Sequence, residues 1–485
     1  MSKVNSIKYN FTLNLVNTVV GLLFPIVTFP YVSRIIMADG IGKIQFLQSI
    51  INCIVLFSAL GIPLYAVREI AKVRDNIEQR SKLAIEILLL HTFLSILGYI
   101  AVYIIALTVE NVKSDASLFL LLSVNIFLSA IGVAWFYQAM EDFKYITIRS
   151  LVVKLLSLIA LFTLVHSKDD LFIYAGITVM AEVGSNVLNF FRLRQFVTIQ
   201  AITCKELNIW RHLRPALKIF LLNIIVCIYV NMDSIMLGLL SSQVAVGYYT
   251  AATRLTKALL GIISSLGAVL LPRFTNLISM GKYDEFAQIA NRASHFVVTL
   301  SLPISIGLIF TASPLIHLFC GNDFEASILT LQIVSPIIIC IGLSGLLGMQ
   351  ILYPQGKENI VILSTLMGAI LNFTLNYLLI PKYAQYGAAI ATFVAEFFVL
   401  ITMFVLGRVF IPLTLLNKNN GMVLLSTFIL ALFLYIFSTL NLPNYLLLLS
   451  EIVLSIFVYG WMLYFCKNEF MLQLLGIMKR QNKKI

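Results

Sequence analysis

Apolar runs of about twenty residues follow one another almost from end to end of this chain, and each is long enough to cross roughly 30 Å of hydrocarbon as a helix. A backbone that enters lipid must satisfy its own polar groups, so these runs predict helices. About fourteen can be delimited, near residues 11–34, 41–65, 83–107, 118–139, 146–165, 171–191, 215–237, 247–271, 293–316, 328–352, 360–380, 387–406, 423–440 and 445–464. Hydrophobic residues make up 60% of the 485 and charged ones 12%, with a mean hydropathy of +0.95, which excludes a soluble globular domain. The expected fold is an all-α polytopic membrane protein.

The net charge of +12 is explained by topology rather than by a nucleic-acid partner. With the N-terminus inside, loops on that side hold roughly 25 of the 34 Lys and Arg, and the opposite loops about five. The inner loops include VREIAKVRDNIEQRSK after the second run, the stretch FRLRQ to CKELNIWRHLR after the sixth, and the tail MKRQNKKI. Both termini are therefore expected in the cytoplasm, with the basic loops facing acidic membrane lipid. Lys3 and Lys8 hold the start inside, and the first run is long enough to remain as a span, so no cleavable signal peptide is expected. Cys53, Cys204, Cys227, Cys320, Cys340 and Cys466 have no paired spacing, and His91, His166, His212, His295 and His317 no ligand spacing; neither a disulfide framework nor a metal site is expected.

Two halves of the sequence overlay at offsets of about 200 to 217 residues. YQAMEDFKYI from Tyr137 echoes YPQGKENIVI from Tyr353, setting Gln138, Glu141 and Asp142 on Gln355, Glu358 and Asn359. AGITVMAE, ending at Glu182, matches AIATFVAE, ending at Glu396, and Arg34 falls opposite Asp233. Six spans separate equivalents, so the halves share one orientation, as parallel repeats about an axis along the membrane normal. The expected organisation is a six-helix bundle over 1–200, a cytoplasmic linker over 201–214, a second six-helix bundle over 215–410, and an appended helix pair with a basic tail over 411–485. A central cavity would lie between the bundles.

Polar residues recur at helical spacing inside several runs. Asn10, Asn14 and Asn17 share a face of the first; Gln45, Gln48 and Asn52 of the second; Glu182, Asn186 and Asn189 of the sixth; and Asn372 and Asn376 of the eleventh. A lone amide of this kind usually hydrogen-bonds across a dry helix interface. Several stripes in one bundle point instead to a water-filled lumen.

Charges are sharper. Arg254 and Lys257 share one face of the eighth run, about 10 to 16 Å below the outer interface at 1.5 Å per residue, too deep for easy snorkelling. Asp233 lies at a similar depth on the seventh, where it can pair with Arg254 and leave Lys257 as a functional cation. Arg34 is either a lumen cation or an interfacial anchor, because Pro25 and Pro30 make the path of its helix uncertain. Lys154 is expected to snorkel to the inner headgroups. Glu182 and Glu396 fall near mid-bilayer, either as carboxylates that couple transport to a proton or sodium ion, or as protonated acids bonded to backbone carbonyls.

Over nearly its whole length the chain resembles the Wzx-type polysaccharide flippases of the multidrug/oligosaccharidyl-lipid/polysaccharide exporter superfamily. The resemblance rests on LGIPLYAVREIAKVRDN from Leu60, WFYQAMEDFKYITIRS from Trp135, MDSIMLG with VGYYTAATRL, and YGAAIATFVAEF from Tyr386. That family often has Asp before the Trp and Gly after the Gln, where this chain has Ala134 and Ala139. The resemblance implies a transporter, not an enzyme, without cofactor. It would move an undecaprenyl-pyrophosphate-linked sugar repeat unit between leaflets of the bacterial inner membrane and work beside a polysaccharide polymerase and assembly proteins. Substrate contacts would fall to Arg254, Lys257, Arg34, Asn14, Asn17, Gln45, Gln48 and Asn52, and ion coupling to Glu182, Glu396 and Asp233. A cation-coupled multidrug exporter is the rival within the superfamily, kept open by the three carboxylates. A membrane glycosyltransferase or polymerase would call for a large outer loop, which the sequence lacks.

Overall fold

Helix and turn account for the described residues, and no strand occurs among them. The computed structural model describes residues 7–198, 207–414, 417–439 and 443–466, with Asn468, Met471 and Gly476. The side chains of Asn10 and Cys227, the linker up to residue 206 and the basic tail lie outside the described residues.

Among the described residues, eleven helical stretches are long and apolar enough to cross a membrane. The first holds two crossings because Met37 (φ 61°, ψ 179°) breaks helix Ile7–Ala59, and Glu358–Gly407 holds two because Ala384 (φ 46°) breaks it. With Leu213–Leu240 the crossings number about 14, as the hydropathy pattern predicts. We label them α1 (7–36), α2 (38–59), α3 (Ile77–Thr108), α4 (Ala116–Ile131), α5 (Phe143–Leu164), α6 (Lys168–Leu193) and α7 (Leu213–Leu240). The series continues with α8 (Gln243–Ser279), α9 (Tyr283–Phe319), α10 (Ser327–Gln355), α11 (358–383), α12 (385–407), α13 (Lys418–Ser438) and α14 (Asn444–Phe465). Pro25 and Pro30 lie inside α1 without ending it. Within a membrane helix the bonds freed by proline are recovered locally, so the turn falls further on, at Met37.

Contacts divide the chain into two compact units, Met1–Gly247 and Tyr248–Ile485. In the first, the α1–α2 pair packs against α3, α4, α5 and α7. In the second, α9 is the common neighbour of α10, α13 and α14. The C-terminal pair is held to α9 by polar contacts: the Tyr459 hydroxyl donates to the Thr299 carbonyl (2.7 Å), and His295 bridges Asn420 (2.8 Å) and Asn468 (3.2 Å).

Short polar turns set where helices begin. Asn76, Asp142 and Asn417 accept the backbone N–H groups of Gln79, Tyr145 and Asn420 and so cap α3, α5 and α13. Two loops close by the same device, a left-handed residue followed by an N–H bonded to the carbonyl five residues back: Glu141 (φ 57°) with Asp142 N–H on the Tyr137 carbonyl, and Gly356 (φ 69°) with Lys357 N–H on the Leu352 carbonyl. These backbone equivalents set Glu141 on Gly356, whereas side-chain identity had set it on Glu358. Geometry fixes the repeat here, and side chains drift over it.

Elsewhere in the first unit two glycines let main chains touch. A Cβ on Gly42 would lie 1.7 Å from the Gln243 carbonyl oxygen, and one on Gly247 2.0 Å from that of Ala38. Lipid supplies no hydrophobic drive between helices, so close approach through small residues is a main source of packing energy.

Candidate substrate and ion site

The polar residues of α2 converge on α6 in the first unit. Gln48, buried, donates from Nε2 to Asn52 Oδ1 (2.9 Å) and reaches Glu182 Oε2 at 3.4 Å. From α4, Asn125 Nδ2 donates to the same oxygen at 3.1 Å, and its own Oδ1 accepts from Ser129 (3.1 Å). Glu182 sits in a π-helical turn, Met180–Gly184, a local widening that recurs at functional sites. Its side chain is exposed while the amides behind it are buried. Two amide N–H groups meet one carboxyl oxygen, and the exposed side leaves the group open to an ion or proton.

The structure thus unites Gln48, Asn52 and Glu182 and adds Asn125 and Ser129. Sequence reading missed that second pair, although a lone Asn and a Ser four residues on in LFLLLSVNIFLSAI place two polar groups on one face. Gln45 stays with its own helix, its Nε2 3.4 Å from Ser49 Oγ. On α1, Asn14 is exposed and Asn17 is half-buried, its Oδ1 without a hydrogen bond. Asn186 and Asn189 serve a different purpose. They pack under the break between α4 and the short helix Ala134–Ala139, where Val133 has φ 36°: Asn189 Nδ2 donates to the Gly132 carbonyl, and the buried Tyr137 hydroxyl donates to the Asn189 carbonyl at 2.7 Å.

Arg34 is exposed near the end of α1, its Nη1 3.2 Å from the Pro30 carbonyl, and Asp233 is buried in α7. In the second unit Arg254 and Lys257 lie along the least buried stripe of α8, Arg254 half-buried and Lys257 exposed, while Thr253, Leu255 and Thr256 pack inward. Glu396 on α12 and Asn372 and Asn376 on α11 are buried, with Asn376 Nδ2 donating to Asn372 Oδ1 at 3.1 Å. Lys154 is partly buried on α5.

Residues 7–278 match the profile of the family described as "Polysaccharide biosynthesis protein". The chain belongs to that family. A second profile, MatE, matches residues 219–378. A Shigella dysenteriae protein named for O-antigen transport is 25% identical over 80% of this chain and 96% of its own length. One from Escherichia coli (strain K12) with the same name is 24% identical over 79% and 92%. Among solved structures, a lipid II flippase MurJ in an inward closed conformation superposes with a TM-score of 0.66 at 14% identity, covering 96% of this chain and 99% of that one. An inward-facing multidrug MATE transporter gives 0.64 at 13% identity, covering 80% and 93%. Family and fold agree with the Wzx-type resemblance: the chain is a multi-pass bacterial inner-membrane transporter of polysaccharide biosynthesis, and not an enzyme.

Proposed function

We propose that this transporter carries an undecaprenyl-pyrophosphate-linked oligosaccharide repeat unit from the inner to the outer leaflet by alternating access. The observation that carries the reading is the likeness to proteins named for O-antigen transport over 80% of this chain. The physics supports it. A hydrated sugar head cannot cross hydrocarbon alone, because each buried polar group without a partner costs several kcal/mol. Amides such as Gln45, Gln48, Asn52, Asn14 and Asn17 replace its water, and Arg254, Lys257 and Arg34 balance the diphosphate. Both termini are cytoplasmic in this reading. The bundles 1–200 and 215–410 rock about the repeat axis, joined by the linker 201–214, and the pair 411–485 is appended. Polysaccharide polymerase and assembly proteins act next on the flipped unit.

Glu182, with its amide donors, is the coupling carboxylate for a proton or sodium ion, and Glu396 and Asp233 are its counterparts elsewhere in the chain. The match to MatE over residues 219–378 favours a second reading, a cation-coupled multidrug exporter. One experiment separates them. In cells carrying the Arg254→Ala, Lys257→Ala double variant, surface polysaccharide falls and lipid-linked intermediate accumulates on the inner face, with drug susceptibility unchanged. Normal polysaccharide with raised drug susceptibility overturns the flippase reading.

A further inference from the structure

A cleft of about 560 Å³ in the first unit is lined by Arg68, Arg211, Arg214, Pro215, Lys218 and Ile219. Three elements meet there: the short helix Ile62–Lys72, the turn Ile209–His212 and the start of α7. Gly61 (φ 76°) brings the short helix onto α7 so tightly that a Cβ would lie 2.7 Å from the Ala216 carbonyl oxygen. The floor is tied down as well. Glu86, wholly buried in α3, accepts from Arg211, from His212 Nε2 (2.9 Å) and from the Asn208 N–H (2.8 Å), and Tyr65 bonds His212 Nδ1 at 2.7 Å.

The charges around the cleft do not cancel. Four cations line it, and two carboxylates stand behind them: Glu86 also serves His212, and Glu69 is shared between Arg68 (2.8 Å) and Lys72 (2.9 Å). Arg214 and Lys218, one turn apart on an exposed face of α7, make no ion pair among the described residues. The first turn of α7 has no acidic residue and no side-chain cap, so its positive end adds to the same field.

The surroundings set the depth. Trp210 is exposed and meets Phe93 edge to face at 5.4 Å, the placement of an aromatic at headgroup level. Leu64 and Leu217, beside the cationic residues, are exposed as acyl chains would require. A ligand here would have a polyanionic head and a hydrocarbon tail.

We propose that this cleft captures the diphosphate of the lipid-linked substrate from the inner leaflet before translocation. The inference rests on the transport reading above. A phosphodiester headgroup brings one negative charge; a diphosphate brings more, on two adjacent phosphoryl groups, which suits Arg214 and Lys218, without an ion pair among the described residues, flanked by two guanidinium forks.

The test uses the full chain in phosphatidylcholine nanodiscs with undecaprenyl diphosphate as probe, binding being read from tryptophan emission and from native mass spectrometry. Wild type binds it. Arg214→Gln, Lys218→Gln weakens binding by about tenfold or more, as expected for lost charge-assisted contacts, and Arg214→Lys, Lys218→Arg restores it. Equal binding by the glutamine variant overturns the capture site and leaves the transport reading standing. Displacement of the probe by phosphatidylglycerol at equal surface density shows a general anionic-lipid site and overturns the diphosphate assignment. Absence of any binding by wild type defeats the transport reading itself.

Discussion

Replacing Gly42 with alanine sets a methyl group 1.7 Å from the Gln243 carbonyl oxygen, where ordinary contact begins at 3.4 Å. The obstructing atom is backbone, so no rotamer change can absorb the clash, and α2 must move away from the start of α8. Gly247→Ala meets the Ala38 carbonyl oxygen at 2.0 Å across the same contact. Overpacking of this kind costs about 1–3 kcal/mol, and each single variant should lower the unfolding temperature of the purified protein in detergent. The double variant carries the sharper expectation. Once the main chains have parted for one methyl group they have room for the other, so the pair should cost less than the sum, with a coupling of about 1 kcal/mol. Thermal unfolding of wild type, both singles and the double, followed by tryptophan fluorescence, measures this. Unchanged stability of Gly42→Ala, or strict additivity in the double, would refute the close approach.

Other outcomes follow from sites elsewhere in the molecule. Glu182→Gln should change the dependence of transport on the ion gradient in energised vesicles, while Asn125→Ala should produce the same change more weakly; an unaltered dependence in both returns the cluster to packing. Glu86→Gln weakens the bonds that a buried carboxylate makes to Arg211, His212 and the Asn208 N–H and should destabilise the protein by about 1–3 kcal/mol, read as a fall in unfolding temperature. Burial holds His212 below its ordinary value of about 6.5, so the folded chain binds fewer protons there than the unfolded one. Its contribution is complete above that value and is lost as pH falls through the folded pKa. His212→Gln should flatten the decline in stability between pH 7 and pH 5, and an identical decline in the variant would exclude His212 as its source. Asn189→Ala leaves the Gly132 carbonyl unbonded beneath the α4 break and should cost about 1–3 kcal/mol in the same assay.

The crossings were legible because lipid imposes a hydropathy rule on every one of them. The turns fall in the gaps between runs, Met37 between 11–34 and 41–65 and Ala384 between 360–380 and 387–406, while α1 passes through Pro25 and Pro30. Spacing identified the polar faces of α2 and α6 without naming partners: Glu182 found Gln48 and Asn125, while Asn189, on the same stripe, was spent on a backbone carbonyl. Helical period reports direction from an axis, and only packing decides what lies there. Arg68 and the run WRHLR from Trp210 read as two basic loops under the positive-inside rule. That both line one cleft is a fact of tertiary folding, held by Gly61 and Glu86, which no local pattern announces.

The widened turn at Met180–Gly184 is in effect one residue more than an α-helix needs. Wound as regular α-helix over the same residues, α6 would turn everything beyond this point by about 100° relative to its start. Asn189 would swing off Gly132, and Arg192 would leave both Asp142 and the ring of Tyr145 that it now covers at 3.8 Å. The surplus residue therefore lets a single helix aim its carboxylate and its anchoring end in directions that ordinary winding could not reconcile.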